Sequence, residues 1–189
     1  MTSALYVWLA TLLFALTHSL MAAAWVKHAV IPRLFSAQQY RLAYSIVSLL
    51  FAALWLMFIH ALPDRPLYHI DGLLLYLLFG LQLVGGIAAL AAFRPIDAMA
   101  FVGLRRQKNN IDPFIVSGIY RHVRHPMYSG VMLMLLASPD QSINGLNMAL
   151  AASLYFLIGS VFEERRMIDQ HPEYAAYRQR VPAFIPRLR

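Results

Sequence analysis

Residues 118–130 read GIYRHVRHPMYSG, in which Arg121, His122, Arg124 and His125 stand directly before an apolar run. Cations beside hydrocarbon often only set topology. Here they are joined at fixed offsets by Tyr120, Pro126, Tyr128 and two glycines, Gly118 and Gly130. Proline disfavours helical geometry in the residue before it and suits the first position of a new helix, so the spacing predicts a chain break at His125 and a restart at Pro126. A restarted helix presents backbone N–H groups without intrahelical partners, and such an end binds anions. Tyr128, three residues beyond His125, shares its space, and the glycines permit a turn and a close backbone approach. Further along, Glu163 and Glu164 are adjacent carboxylates near hydrocarbon, costly there unless paired or liganded. Amides, cations, paired carboxylates and aromatic rings together suit a zwitterionic amino-acid tail with a stacked base.

The composition says what kind of scaffold must position these groups. The chain has 189 residues, 60% hydrophobic and only 13% charged, the profile of an integral membrane protein. With no cysteine, disulfides, thiol redox chemistry and thiolate-bound metals are excluded, and no metal is expected. The formal charge of +7 suits an anionic lipid leaflet rather than nucleic acid, for which no motif is present.

Crossing a bilayer takes about 20 apolar residues as a helix. Residues 4–26, 42–62 and 70–93 meet that length, and the weaker stretches 127–137 and 146–162 flank the polar turn SPDQSING. These two predict a tight helical hairpin, with residues 118–124 extending its first arm at the interface. The basic residues sort accordingly: Lys27, Arg33 and Arg41 between spans one and two, Arg94 to Arg124 between three and four, Arg165 to Arg189 after five, and Arg65 alone on the other side. The positive-inside rule then predicts five crossings, an external N-terminus and a cytoplasmic C-terminus. The first span lacks a basic leader and a small-residue cleavage site and reads as retained. The expected fold is all-α, a single membrane domain over 1–189: a three-span scaffold to residue 104, then a polar loop, the hairpin and an interfacial tail.

The ordered combination Gly118, Tyr120, Arg124, His125, Pro126, Tyr128, Gly130, then Glu163-Glu164, Tyr174, Tyr177, Arg178 and Val181-Pro182, resembles the isoprenylcysteine carboxyl methyltransferase and phospholipid methyltransferase superfamily. The resemblance covers about residues 112–186. It implies a site for S-adenosylmethionine, with S-adenosylhomocysteine as product, at the cytoplasmic face. It assigns cofactor contacts to Tyr120, His125, Pro126, Met127, Tyr128 and the acidic pair, Glu163 or Glu164, and by position to the loop Asp112, Pro113, Phe114 and Ile115. Arg124 and His125 are the expected catalytic pair. In the first half, Thr17-His18-Ser19-Leu20, Val26-Lys27, Tyr40-Arg41-Leu42 and Gly103-Leu104-Arg105 are similar to bacterial methanethiol S-methyltransferases and NnrU-type membrane proteins, which implies a bacterial inner membrane. One departure bears on the acceptor. The carboxyl methyltransferases carry an arginine one turn before the acidic pair, where this chain has Gly159, which weighs against a carboxylate substrate.

Methyl transfer is an in-line displacement in which bringing donor and acceptor together supplies about 7–11 kcal/mol of the barrier. A thiol acceptor must ionise first, which cations such as Arg121 and Arg124 favour. The expected acceptor is a small or lipophilic thiol entering from the lipid, with a lipid amine or prenylcysteine carboxylate as alternatives. A non-enzymatic accessory or transport role, in which the polar groups only fix topology, is the alternative of another class. Candidate acceptor contacts are Arg121, Tyr177 and His18, the last an ionisable group inside span one. Against these stand a topology role for Arg121, tail anchoring for Tyr177 and a simple interhelical bond for His18. His18 and His60 do not suit a shared haem, since their depths in antiparallel helices differ by ~15 Å. The oligomeric state is left open.

Overall fold

The computed structural model describes residues 2–106 and 113–187. Among these the element order is α1 Thr2–Ala22, α2 Ala24–Leu34, α3 Ala37–Ala61, β1 Pro66–His69, α4 Leu73–Ala91, α5 Ala98–Phe101, a 3₁₀ turn Gly118–Arg121, α6 Pro126–Leu136, β2 Asp140–Ser142, α7 Ile143–Gln170 and α8 Tyr174–Arg180. Contacts divide the chain into two compact units, Met1–Asp64 with Asp97–Asn110, and Arg65–Ile96 with Ile111–Arg189.

In the first unit α1 and α3 pair along their lengths and leave large apolar side chains such as Leu13, Leu16, Leu49 and Met57 exposed. Helices apolar on every side suit lipid as their solvent. Between them, Trp55 Nε1 donates to Thr11 Oγ1 at 3.0 Å, the Phe14 and Trp55 rings stack at 5.5 Å, and the Tyr40 hydroxyl donates to the Met21 carbonyl at 2.7 Å. Span one ends earlier than its hydropathy predicts: Ala23 is extended, with φ −64° and ψ 139°, and the basic connection restarts as α2. A capping box between Ser36 and Gln39 then opens α3, each side chain bonding the other's backbone N–H.

The second unit is built on a close crossing of α4 and α6. A Cβ placed on Gly130 would lie 2.3 Å from the Gly85 carbonyl oxygen and 2.7 Å from the Ala89 nitrogen. Only glycine lets two backbones approach so closely, the small-residue packing typical of helices in lipid. Gln82 Nε2 donates to the Met134 carbonyl at 3.0 Å across the same seam. α6 leads through β2 into α7, which gives the expected helical hairpin.

Three features depart from the sequence expectation. The fold is mostly helical, but not wholly: β1 and β2 pair antiparallel, His69 opposite Asp140 and Tyr68 opposite Gln141, because the connection after α3 lies against the hairpin turn. Among the described residues four helices, α1, α3, α4 and α7, are long and apolar enough to cross a membrane, as in an integral membrane protein. The fourth of the five expected crossings, α6, has 11 residues and at 1.5 Å per residue reaches roughly half of a ~30 Å hydrocarbon layer. Finally, the last span does not end at residue 162, where the apolar stretch closes and the interfacial tail is expected to begin. α7 runs on through Glu163 and Glu164 to Gln170, since Glu, Arg and Met are all good helix formers. The break comes at His171, followed by α8.

The strand pair is fastened by an exposed histidine. His69 bonds the Asp140 carboxylate through Nδ1 and Asp71 Oδ1 through Nε2, the latter at 2.8 Å. The bond to Asp140, then that to Asp71, raise the imidazole above its ordinary value.

Two tests follow from this packing. Gly130→Val should cost about 1–3 kcal/mol by overpacking, read as lower thermal stability in detergent, whereas Gly80→Val, where nothing lies within 4 Å, should lose far less. His69, having a raised folded-state value, stabilises the strand pair fully below its unfolded value of about 6.5 and loses that contribution as pH rises through the folded value. Histidine NMR should show it titrating above the free residue, and the shift should vanish in Asp140→Asn with Asp71→Asn.

Candidate active site

The break before α6 falls where proline places it. His125 is non-helical, with φ −121° and ψ 61°, and Pro126 opens the helix. Gly118, at φ +59°, takes the left-handed conformation that starts the preceding 3₁₀ turn. The irregular backbone between them does not lack partners. The Arg124 and His125 N–H groups donate to the Pro182 and Ala183 carbonyls at 2.9 and 3.0 Å, so the extended segment after α8 lies against the break like an added strand. Ser129 Oγ donates to the Phe184 carbonyl at 2.8 Å and extends this contact by one turn of α6.

Two neighbouring acids on α7 meet quite different surroundings, because successive helical residues point about 100° apart. The Glu164 side chain is 8% exposed. Its Oε1 accepts from Arg124 Nε at 2.8 Å and from His125 Nε2 at 2.9 Å, and its Oε2 lies 3.1 Å from Arg178 Nε. Since a carboxylate only accepts, His125 carries its proton on Nε2 here. Glu163 remains 37% exposed; its Oε2 accepts from the Tyr128 hydroxyl at 2.9 Å and lies 3.8 Å from His125 Nδ1.

Arg124 also reaches the tail. Its terminal nitrogen donates to the Arg178 carbonyl at 3.0 Å and also to the Val181 carbonyl. Around this ionic knot the rings form a ladder: Phe184 on His125 at 5.5 Å, His125 on Tyr128 at 5.5 Å with planes 6° apart, and Tyr128 on Phe156 at 4.8 Å.

Below the tail, Phe114 packs on His171, Tyr174 and Tyr177, and Met167 completes a buried apolar cluster. The Tyr177 hydroxyl donates to the Tyr120 carbonyl at 2.6 Å, and the Tyr120 hydroxyl donates to the Ala92 carbonyl at 3.3 Å. Burial pushes the Tyr177 phenol up to about 12. Tyr120 and Tyr174 are raised too, first by burial and then by a nearby carboxylate, Glu163 for Tyr120 and Glu164 for Tyr174. All three therefore stay neutral donors at physiological pH.

The structure thus brings together Tyr120, Arg124, His125, Pro126, Tyr128, Glu163 and Glu164. Met127 is half-buried beside them on α6. Of the loop residues, Phe114 joins the cluster, Pro113 is exposed and Ile115 half-buried, while Asp112 lies outside the described residues. Arg121 is exposed on the 3₁₀ turn. Tyr177 is buried with its hydroxyl spent on Tyr120. His18 belongs to the first unit, where its ring bonds Tyr44 and Ser48.

Sequence reasoning missed the roles of Arg178, Ser129, Phe156 and Phe184. For Phe156 a signal was available: it precedes Glu163 by seven residues, two helical turns, and so shares its face. The other three depend on the tail folding back.

A family model described as NnrU protein matches residues 6–138. Methanethiol S-methyltransferase 2 of Bradyrhizobium diazoefficiens is 32% identical, the alignment covering 93% of this chain and 70% of that protein. Methanethiol S-methyltransferases of Pseudomonas deceptionensis and Crocosphaera subtropica are 29% and 30% identical, over 94% and 92% of this chain and 70% and 71% of theirs. No solved structure matches significantly.

Because Glu164 is buried among cations and Glu163 is not, their substitutions should separate. Glu164→Gln should cost about 3–5 kcal/mol, the range for removing one partner of a buried ionic cluster, and should expose the chain after Arg178 and Arg180 to trypsin. Glu163→Gln gives up one hydrogen-bonded anion and should cost about 1 kcal/mol, with the tail still protected. Thermal melts and timed proteolysis in detergent distinguish the two.

Proposed function

Since the chain belongs to the NnrU family and joins a half-exposed carboxylate to a ring ladder beside a broken helix, we propose that it is a membrane-embedded methyltransferase using S-adenosylmethionine. Its acceptor in this reading is a small or lipophilic thiol. The observation that carries the reading is the division of labour between Glu163 and Glu164. Glu164, saturated by Arg124, His125 and Arg178, holds the frame. Glu163 keeps a carboxylate at the edge of the frame and is the acid that would receive the donor's ammonium group.

The residues present fit the donor by their chemistry. The N-terminal amides of α6 suit its carboxylate, and the half-buried Phe156 ring at the end of the ladder suits a purine and a neighbouring sulfonium. When bound, the donor supplies a methyl carbon on that sulfonium, which an ionised thiol takes by in-line displacement. In this reading Arg124 and His125, named as the catalytic pair from the sequence, act by position: they fix Glu164 and the tail, and so the orientation of Tyr128 and Glu163. The guanidinium groups of Arg124 and Arg178 favour a thiolate nearby. Tyr120, Met127 and the stretch Pro113 to Ile115 complete the donor site, and Tyr177 supports it through the Tyr120 carbonyl.

The relatives named as methanethiol S-methyltransferases support the thiol acceptor. Gly159, with nothing within 4 Å of its Cβ position, leaves no cation one turn before the acids and disfavours a carboxylate. The proposed orientation puts the site at the cytoplasmic face, where the donor is made, with α6 and the preceding turn together completing a fifth passage through a bacterial inner membrane. The acceptor reaches it through lipid.

Calorimetry on the purified protein should show binding of S-adenosylmethionine and S-adenosylhomocysteine, and membranes supplied with labelled donor and methanethiol should release volatile labelled thioether. Glu163→Gln should weaken donor affinity by about 10- to 100-fold, the loss of one charged hydrogen bond, without unfolding the protein. Absence of donor binding in the intact protein defeats the proposal, and transfer only to lipid amines defeats its acceptor.

A further inference from the structure

α1 and α3 flank a half-open apolar cavity of about 190 Å³. Its wall includes Phe14, Thr17, His18, Met21, Ser48 and Phe51. At this wall sits a polar triad: the Tyr44 hydroxyl lies 2.7 Å from His18 Nε2, and Ser48 Oγ lies 3.1 Å from His18 Nδ1. A neutral imidazole satisfies both at once, accepting on one nitrogen and donating on the other. Thr17 likewise turns its hydroxyl inward to its own helix, bonding the Leu13 and Phe14 carbonyls at 2.9 and 3.0 Å. The polar groups are therefore tied to one another, and what the cavity offers a guest is rings, a thioether and methylenes.

Three aromatic rings, Phe14, His18 and Phe51, with Met21 beside them, line a surface suited to soft, polarizable atoms. A sulfur about 5 Å from an aromatic ring gains roughly 0.3–1.5 kcal/mol per contact. The volume is that of a few heavy atoms with room to turn; an acyl chain would fill it with methylenes and gain nothing from the rings beyond burial. The position within α1 and α3, whose outer faces carry exposed apolar side chains, opens the cavity to molecules dissolved in lipid.

We propose that this cavity is a binding site for a small apolar thiol or its methylated thioether, which the first unit captures from the bilayer. The inference rests on the thiol reading of the acceptor, and it gives His18 a concrete part: with Tyr44 and Ser48 it braces α1 against α3 and keeps the cavity open. The site needs no titration and no covalent step.

Dimethyl selenide, the selenium analogue of the smallest such thioether, is the probe. Crystals of the full chain grown in lipid and exposed to it should show an anomalous selenium peak between Phe14, His18 and Phe51, and the peak should vanish in Val47→Trp, which fills the cavity from α3. In membranes, Val47→Trp should raise KM for methanethiol about tenfold, one aromatic sulfur contact's worth, with kcat and donor affinity unchanged. Tyr44→Phe, which removes one arm of the brace, should weaken the selenium peak without abolishing donor binding. An acyl chain occupying the cavity in place of selenium, no peak in the wild type, or an unaltered KM in Val47→Trp each overturns the proposal. These outcomes are separate from failure of the methyltransferase reading, which shows as lost donor binding or absent transfer in the wild type.

Discussion

One buried carboxylate organises the second unit. Taking an anion out of water costs several kcal/mol unless its oxygens are matched by donors, and Glu164 meets that requirement with donors from two separate segments: Arg124 and His125 at the break before α6, and Arg178 on α8. α7 supplies the acid. The requirement for charge balance therefore ties together pieces of chain that hydrophobic burial alone would leave free to slide, since lipid is as good a solvent for apolar helices as other helices are. The tail inherits its path from the same knot, because Arg124 also donates to the carbonyls of Arg178 and Val181.

Once that knot is drawn, the adjacent Glu163 rests at the edge, its Oε2 accepting from Tyr128 and 3.8 Å from His125 Nδ1. The aromatic ladder from Phe184 to Phe156 spans the same groups and keeps their planes in step. A frame held rigid by one acid and a ligand-facing position left to its neighbour is an economical way to build a site on consecutive residues. The backbone contact of Gly85 with Gly130 completes the support by fixing α6, a helix too short to hold its own place in a bilayer, against α4.

Much of this was legible in the chain. The restart at Pro126 could be read because proline acts on its immediate neighbours, and the long spans because twenty apolar residues admit few other structures. The pairing of Glu163 and Glu164 with Arg124 and His125 could be anticipated from the hairpin. What escaped depends on contacts distant in sequence. Nothing local marks Pro66–His69 and Asp140–Ser142 as partners, since both are short and the first is exposed throughout. The charged run after Phe162 looked like a helix end, though its residues favour helix and carry α7 to Gln170. Arg178 and Phe184 gain their places only through the return of the tail, which no periodicity encodes.

That return bears on biosynthesis. The carbonyls of residues 181–184 close over Arg124, His125 and Ser129, yet they leave the ribosome after every segment they grip. Until then Glu164 lacks Arg178 and the interrupted backbone at His125 has no strand beside it. The polar knot can therefore be tied only after the last long helix has been released into the bilayer, which makes its closure a late checkpoint of assembly: a nascent chain halted short of this point would present an incompletely paired acid and a gaping helix break to membrane proteases.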